Sequence, residues 1–224
     1  MSDTLQIPGT DADGHRPLIF VGGTFDPPHR AHTELAEAAR RSTAPDADMI
    51  FVPAARSPHK AERPSVTDAD RLAMIRLATA GMDRASVWTD ELDRAQDGEP
   101  SYWVTTLERA RAILGPERPM MFLIGADQAA SFDRWREPGR ILELADPIVI
   151  NRGAVSTRSE LAEHLGDCAH ADRLLSAWCE VPALEISSTD VRRSLAVGDV
   201  DPVRWMLHPA VLAYIIGHGL YRSG

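Results

Sequence analysis

Two short stretches, far apart in the chain, carry residue types suited to handling a polyphosphate. Residues 22–32 read GGTFDPPHRAH, directly after the apolar run Leu18-Ile19-Phe20-Val21. Gly22 and Gly23 let the backbone approach a ligand that a side chain would hold away. Asp26-Pro27-Pro28 forces a turn, and Pro28 disfavours helix at Pro27, so a helix is expected to begin around residues 29–31 with free N–H groups facing the glycines. Such an end attracts anions. His29 and His32, three apart, fall on one side of this first turn. Two imidazoles there can donate to phosphate oxygens and stabilise charge that builds up in phosphoryl or nucleotidyl transfer. Taken alone, the same letters also serve as turn punctuation. Metal ligation has little support, because His29, His32 and His59 show neither HExxH nor cysteine spacing.

The second stretch, EISSTDVRRSL at residues 185–195, places Ser187, Ser188 and Thr189 ahead of a short helix with Arg192 on its first turn. Hydroxyls, helix N–H groups and a guanidinium converge there on one anion. A surface helix capped by serine or threonine is the plainer alternative.

Those residues need elements to hold them. Short β-rich runs alternate with longer helical patterns, the βαβ signature of an α/β domain built on a mostly parallel sheet covered on both faces. Strands are expected at Leu18–Gly22, Met49–Pro53, Ser86–Thr89, Met120–Gly125, Pro147–Asn151 and Cys179–Val181. Helices are expected at His32–Arg41, Asp68–Ala80, Tyr102–Leu114, Ile141–Leu144 and Ser156–Leu165. In Asp68–Ala80, Leu72, Ile75 and Leu77 with Ala73, Ala78 and Ala80 make one apolar face, and Thr67-Asp68 supplies an N-cap. Beyond Ile186, SSTDVRRSLA starts a capped helix, and HPAVLAYIIGHG makes an apolar terminal helix that Gly217 or Gly219 can end. Ala54–Ser65 and Asp93–Pro100 read as long loops. Residues 1–16 read as a flexible tail, and 17–224 as one domain. In open parallel sheets ligands bind outside the carboxyl ends of the strands, which is where GGTFDPPHRAH begins.

At 224 residues and 44% apolar content the chain can bury one full core. A formal charge of −9 argues against a nonspecific grip on nucleic acid, which needs a basic face. Two cysteines, Cys168 and Cys179, are too few for a disulfide framework, so a reducing cytoplasm is the simplest compartment. No stretch has the length and apolarity of a membrane span, and the N-terminus lacks the basic and apolar regions of a signal peptide.

GGTFDPPHRAH together with ISSTDVR resembles the signatures of the HxGH nucleotidyltransferases, a GxFDPxHxGH loop and an ISSTxxR segment. Within them, PSYWVTTLERA, FLIGADQAASFDRW and SPHK resemble the bacterial nicotinate-nucleotide adenylyltransferases, over about residues 18–222. The resemblance implies a Rossmann-like, doubly wound sheet with a small C-terminal helical part. It also implies transfer of AMP from ATP to nicotinate mononucleotide, giving nicotinate adenine dinucleotide and pyrophosphate, with Mg²⁺ on the ATP phosphates. The backbone of Gly22, Gly23, Thr24 and Phe25 would then face the adenylyl part, and His29 and His32 would hold the ATP phosphates. Ile186 belongs to the same ATP-binding segment as Ser188, Thr189 and Arg192, of which the last three would clamp the departing pyrophosphate. Gly125 and Asp127 would bind adenosine, although Asp127 equally suits a helix N-cap. Trp135 matches the tryptophan that stacks on the pyridine ring, Tyr102 and the amides around Trp103 the segment holding its carboxylate, and Arg152 a basic position near the dinucleotide phosphates. Lys60 would neutralise substrate phosphate; as a loop lysine it also suits plain solvation.

Two departures stand out. Ala31 replaces the glycine of HxGH, favouring helix but bringing a methyl group toward the space ATP needs. Trp103 and Thr105 stand where the pattern has threonine and aspartate, so a hydroxyl near the carboxylate is missing, which opens the choice between nicotinate and nicotinamide nucleotides. Other readings are a different acceptor, such as nicotinamide mononucleotide or phosphopantetheine, and a noncatalytic nucleotide-binding regulator. The oligomeric state is open, a homo-oligomer included.

Overall fold

The computed structural model describes residues 6–10, 14–56, 64–95, 101–153 and 155–222. Six parallel strands form one sheet: β1 (Leu18–Gly23), β2 (Asp48–Pro53), β3 (Ala85–Val87), β4 (Met120–Gly125), β5 (Asp146–Ile150) and β6 (Trp178–Cys179). Their order across the sheet is β3-β2-β1-β4-β5-β6. The chain winds outward from β1 through β2 to β3, then returns to place β4 on the other side of β1. That reversal makes the fold Rossmann-like and doubly wound, with a crevice between the carboxyl ends of β1 and β4.

Ten helices accompany the strands among the described residues: α1 (Arg30–Thr43), α2 (Asp68–Thr79), α3 (Asp90–Arg94), α4 (Trp103–Leu114), α5 (Ala126–Ala129), α6 (Pro138–Leu144), α7 (Arg158–Leu165), α8 (Ala171–Ser176), α9 (Ser188–Ala196) and α10 (Pro209–Gly217). Strand alternation sends Ile19 and Val21 to a core shared with α1, α2, α9 and α10, and Leu18 and Phe20 to a second core under α4 to α8. Both sheet faces are thereby covered, and the near-continuous apolar runs of β1 and β2 are explained.

Several edges differ from expectation. The last strand stops at Cys179 because the Asn151 amide takes over: its Oδ1 accepts from Val181 N–H and its Nδ2 donates to Val181 O. Helix α6 begins earlier than the apolar run, at Pro138, behind a left-handed Glu137, since proline loses nothing at a first helical position. Helices α3, α5 and α8 are too short to leave a periodic signal. In α2 the expected Ile75 and Ala78 are buried and Leu72 and Leu77 pack partly buried against the first core, but the most buried face also takes in Arg71, Met74 and Thr79, and Ala80 is exposed. Part of the expected N-terminal tail is docked: Ile7 lies in the second core, and Ser86 Oγ donates to Pro8 O.

Candidate active site

The first strand delivers its exit loop to the crevice. Gly22 and Gly23 end β1, Phe25 turns the chain with a left-handed backbone, and His29 is the N-cap residue of α1. The backbone N–H of His29 donates to Nδ1 of His32 at 3.1 Å, and the two rings lie 3.7 Å apart. An Nδ1 that accepts leaves the proton of a neutral imidazole on Nε2, so His32 offers a donor from its far side. His32 lines the crevice, whereas His29 is only 2% exposed and is not among the lining residues. The helix start is less open than its sequence implies: the N–H of Arg30 is bonded to Met206 O and that of His32 to His29 O.

Gly22 and Gly23 both line the crevice, and each also stands close to an aromatic ring of the protein itself. A β-carbon on Gly22 would stand 2.9 Å from the Trp103 ring, and one on Gly23 2.8 Å from the Phe25 ring. They make room for aromatic side chains of the protein itself. Phe25 is buried, edge-on to His32 and against Phe51, so it presents no ring to the crevice. Ala31 is likewise buried in the first core and absent from the crevice lining, so its methyl group points away from the space feared for ATP.

The crevice holds a cavity of roughly 790 Å³. Gly22, Gly23, Thr24 and His32 of the first stretch line it, together with Asp127, Gln128 and Arg152 and with Tyr102, Trp103, Trp135 and Arg136. Asp127 is exposed, accepts from the N–H of Gln128, and is pressed by Gly125 and Gly153, where a β-carbon would come within 3 Å of its carboxylate. Burial pushes the Arg152 guanidinium down, and the Asp127 charge pulls it back up. Trp135 leans on Phe132 with 5.2 Å between ring centres.

The second stretch lies against the first, as their shared chemistry requires. Ser187 is the true cap of α9, accepting from Asp190 N–H, which frees Ser188 and Thr189. Ser188 Oγ donates to Pro27 O at 2.9 Å, and Arg192 Nη1 donates to Asp26 O at 2.7 Å, across more than 160 residues of chain. Arg192 Nη2 also reaches Thr189 Oγ1 at 3.4 Å. Ile186 is buried. Ile186, Ser188, Thr189, Arg192, Phe25 and Gly125 are not among the residues that line the cavity. Lys60 and His59 lie outside the described residues.

Residues that sequence reasoning passed over complete the frame. Arg71, fully buried, donates through Nη1 to Thr24 O at 2.7 Å and Ala54 O at 2.6 Å, and through Nη2 to Asp68. One guanidinium thus ties the exits of β1 and β2. A charged residue in the i, i+3, i+4, i+7 register of an apolar helix face was the available signal. Tyr221, also left-handed, donates to Asp26 Oδ1 at 2.7 Å, while Asp26 Oδ2 accepts from Ser65 N–H. Burial and the Asp26 charge both push the Tyr221 phenol up, keeping it a donor. Glu91, on the cavity wall, accepts from Thr106 Oγ1 at 2.7 Å, and burial pushes its carboxyl up.

The cytidylyltransferase-like family matches residues 20–194. A probable nicotinate-nucleotide adenylyltransferase of Roseiflexus sp. is 40% identical over 92% of this chain and 98% of its own length; one of Rhodopirellula baltica is 35% identical over 95% and 97%. The chain belongs to the nicotinate-nucleotide adenylyltransferase family. The nicotinic acid mononucleotide adenylyltransferase of Plasmodium falciparum, solved with NaAD, has the same fold at TM-score 0.69 and 19% identity, covering 92% of this chain and 98% of that one. Among the described residues of this family member, no helix is long and apolar enough to cross a membrane.

Proposed function

We infer that the protein transfers AMP from ATP to nicotinate mononucleotide, releasing pyrophosphate and nicotinate adenine dinucleotide. The observation that carries this reading is the cavity at the β1/β4 switch point. It has a volume suited to a small-molecule ligand, an imidazole donor on the phosphate side, a ribose-ready carboxylate at Asp127 and an aromatic wall at Trp135 and Tyr102. Relatives of 35–40% identity over nearly the whole chain bear that activity in their names.

In this reading an oxygen of the acceptor's phosphate attacks the α-phosphorus of ATP in line. A new P–O bond forms as the bond to the β-phosphate oxygen breaks, and pyrophosphate leaves with its electron pair. The nucleophile is already an anion, so catalysis rests on orientation and charge stabilisation. His32 donates from Nε2 to phosphate oxygen, and His29, stacked behind it, fixes its position through its backbone N–H. Arg192 spends part of its five-donor fork on Asp26 O and Thr189, and its remaining donors serve the departing pyrophosphate. Lys60 serves the same phosphates. Asp127 takes the adenosine ribose, Arg152 the bridging phosphates and Trp135 the pyridine ring. The Asp26 carboxylate is committed to Tyr221 and Ser65, so a magnesium ion suits this site as a companion of the ATP phosphates, whose oxygens and water meet its preference. When bound, that ion neutralises phosphate charge.

Pyrophosphate release from ATP with nicotinate mononucleotide tests the reading. His32→Ala is expected to lower kcat by about 10²–10³, the effect of losing one transition-state donor. Near-normal turnover of that variant, or ATP binding with no pyrophosphate release for any mononucleotide, would overturn it.

A further inference from the structure

Ser101 and Tyr102 bring hydroxyl groups to the cavity beside Trp103, but no positive charge. Trp103 occupies the first helical position of α4, and its indole lies over Gly22. The next hydroxyl along the helix that is buried toward this end, Thr106 Oγ1, is spent: it donates to Glu91 and accepts from Arg94. Glu91 itself puts an acid on the cavity wall. A ring bearing a carboxylate would therefore meet an aromatic wall and an acidic neighbour, and needs a cation close by.

Arg136 supplies one. It lines the cavity next to Trp135, and its guanidinium carbon stands 4.6 Å from the centre of the Tyr102 ring. Stacking on that ring holds an otherwise mobile side chain in one place. The planar fork of a guanidinium matches a carboxylate with two parallel hydrogen bonds, whereas a carboxamide, uncharged and carrying its own N–H₂, offers it a single oxygen. The other arginines on the cavity wall are Arg152, which sits beside Asp127, and Arg134, at the end of the 3-10 turn Phe132–Arg134; Arg136 is the one that lies over an aromatic ring among the described residues. Glu137, the acid nearest Arg136, stands 3.6 Å away with both side chains more than half exposed, a weak competitor.

We propose that Arg136 reads the charge on the acceptor's ring, pairing with a pyridine carboxylate and setting the preference for nicotinate over nicotinamide mononucleotide. This rests on the function proposed above. The experiment compares kcat/KM for the two mononucleotides, at fixed ATP, in the wild type, Arg136→Gln and Arg136→Lys. The wild type is expected to favour the nicotinate nucleotide. Arg136→Gln lowers that ratio about tenfold, the low end for a hydrogen bond to a charged group because Arg136 faces solvent. Arg136→Lys, which keeps the charge without the fork, recovers part of it. The KM for ATP stays unchanged, and added salt weakens nicotinate binding in the wild type more than in Arg136→Gln. A ratio that does not move in Arg136→Gln, or a parallel fall for both acceptors, overturns the assignment while leaving adenylyl transfer standing. Wild-type protein that transfers to neither acceptor overturns the proposed function, and this assignment with it.

Discussion

Replacing Gly22 by alanine builds a methyl group 2.9 Å from Cζ3 and 3.1 Å from Cη2 of Trp103, where carbon atoms normally rest about 3.5–4.0 Å apart. The gap is short by more than half an ångström against a rigid, half-buried ring. Gly22 does not have a left-handed backbone, so alanine brings no conformational strain there, and the effect is steric. One overpacked carbon costs about 1–3 kcal/mol. For a chain of this length that lowers Tm by about 2–12 °C, read by circular dichroism. The indole can relieve the clash by moving into the cavity it borders, so KM for the acceptor is expected to rise more than KM for ATP. The decisive comparison is the double variant. In a Trp103→Thr background the clash has no partner, and Gly22→Ala becomes neutral or slightly stabilising, because alanine has less backbone freedom to lose than glycine. If instead Gly22→Ala costs the same in both backgrounds, or leaves Tm intact and raises KM for ATP alone, then Gly22 clears space for nucleotide and the Trp103 argument fails.

Arg71→Lys replaces a fork that reaches two carbonyls and a carboxylate with a single ammonium, and is expected to cost about 3 kcal/mol in chemical denaturation; a loss under 0.5 kcal/mol would show that the clamp is idle. Tyr221→Phe removes the donor to Asp26 Oδ1 and should cost about 1–3 kcal/mol, with faster amide exchange over residues 24–30. Unchanged exchange there would separate the C-terminus from the loop. For Glu91 the folded carboxyl is held above its ordinary value by burial, so its contribution favours the folded state at low pH and is lost as pH rises through the folded pKa. Glu91→Gln should therefore gain stability relative to the wild type on going from pH 5 to pH 8; a difference that is flat across this range refutes it.

Much of the molecule was legible in the letters. Local periodicity carried the strand cores, and the crossover rule for βαβ units carried the parallel sheet, because both depend on neighbours in sequence. The pairing of GGTFDPPHRAH with ISSTDVR was legible as shared chemistry, and the bonds from Ser188 and Arg192 to the loop's carbonyls supply the contact. The short helices α3, α5 and α8 were not, since a stretch of one or two turns shows no period.

What only the tertiary structure decided is which side chain fills which space. Sequence left room beside Gly22 for a nucleotide and set the methyl group of Ala31 in ATP's path; packing also brings Trp103 against Gly22, which still lines the cavity, and places Ala31 in the core. Sequence placed Arg71 on an ordinary helix and Tyr221 at an unremarked end, while the fold makes them partners of Thr24, Ala54 and Asp26. Residue type and local spacing determine what a segment can offer. Which offers meet depends on contacts between positions 17 to 195 residues apart, and these exist only once the sheet has assembled.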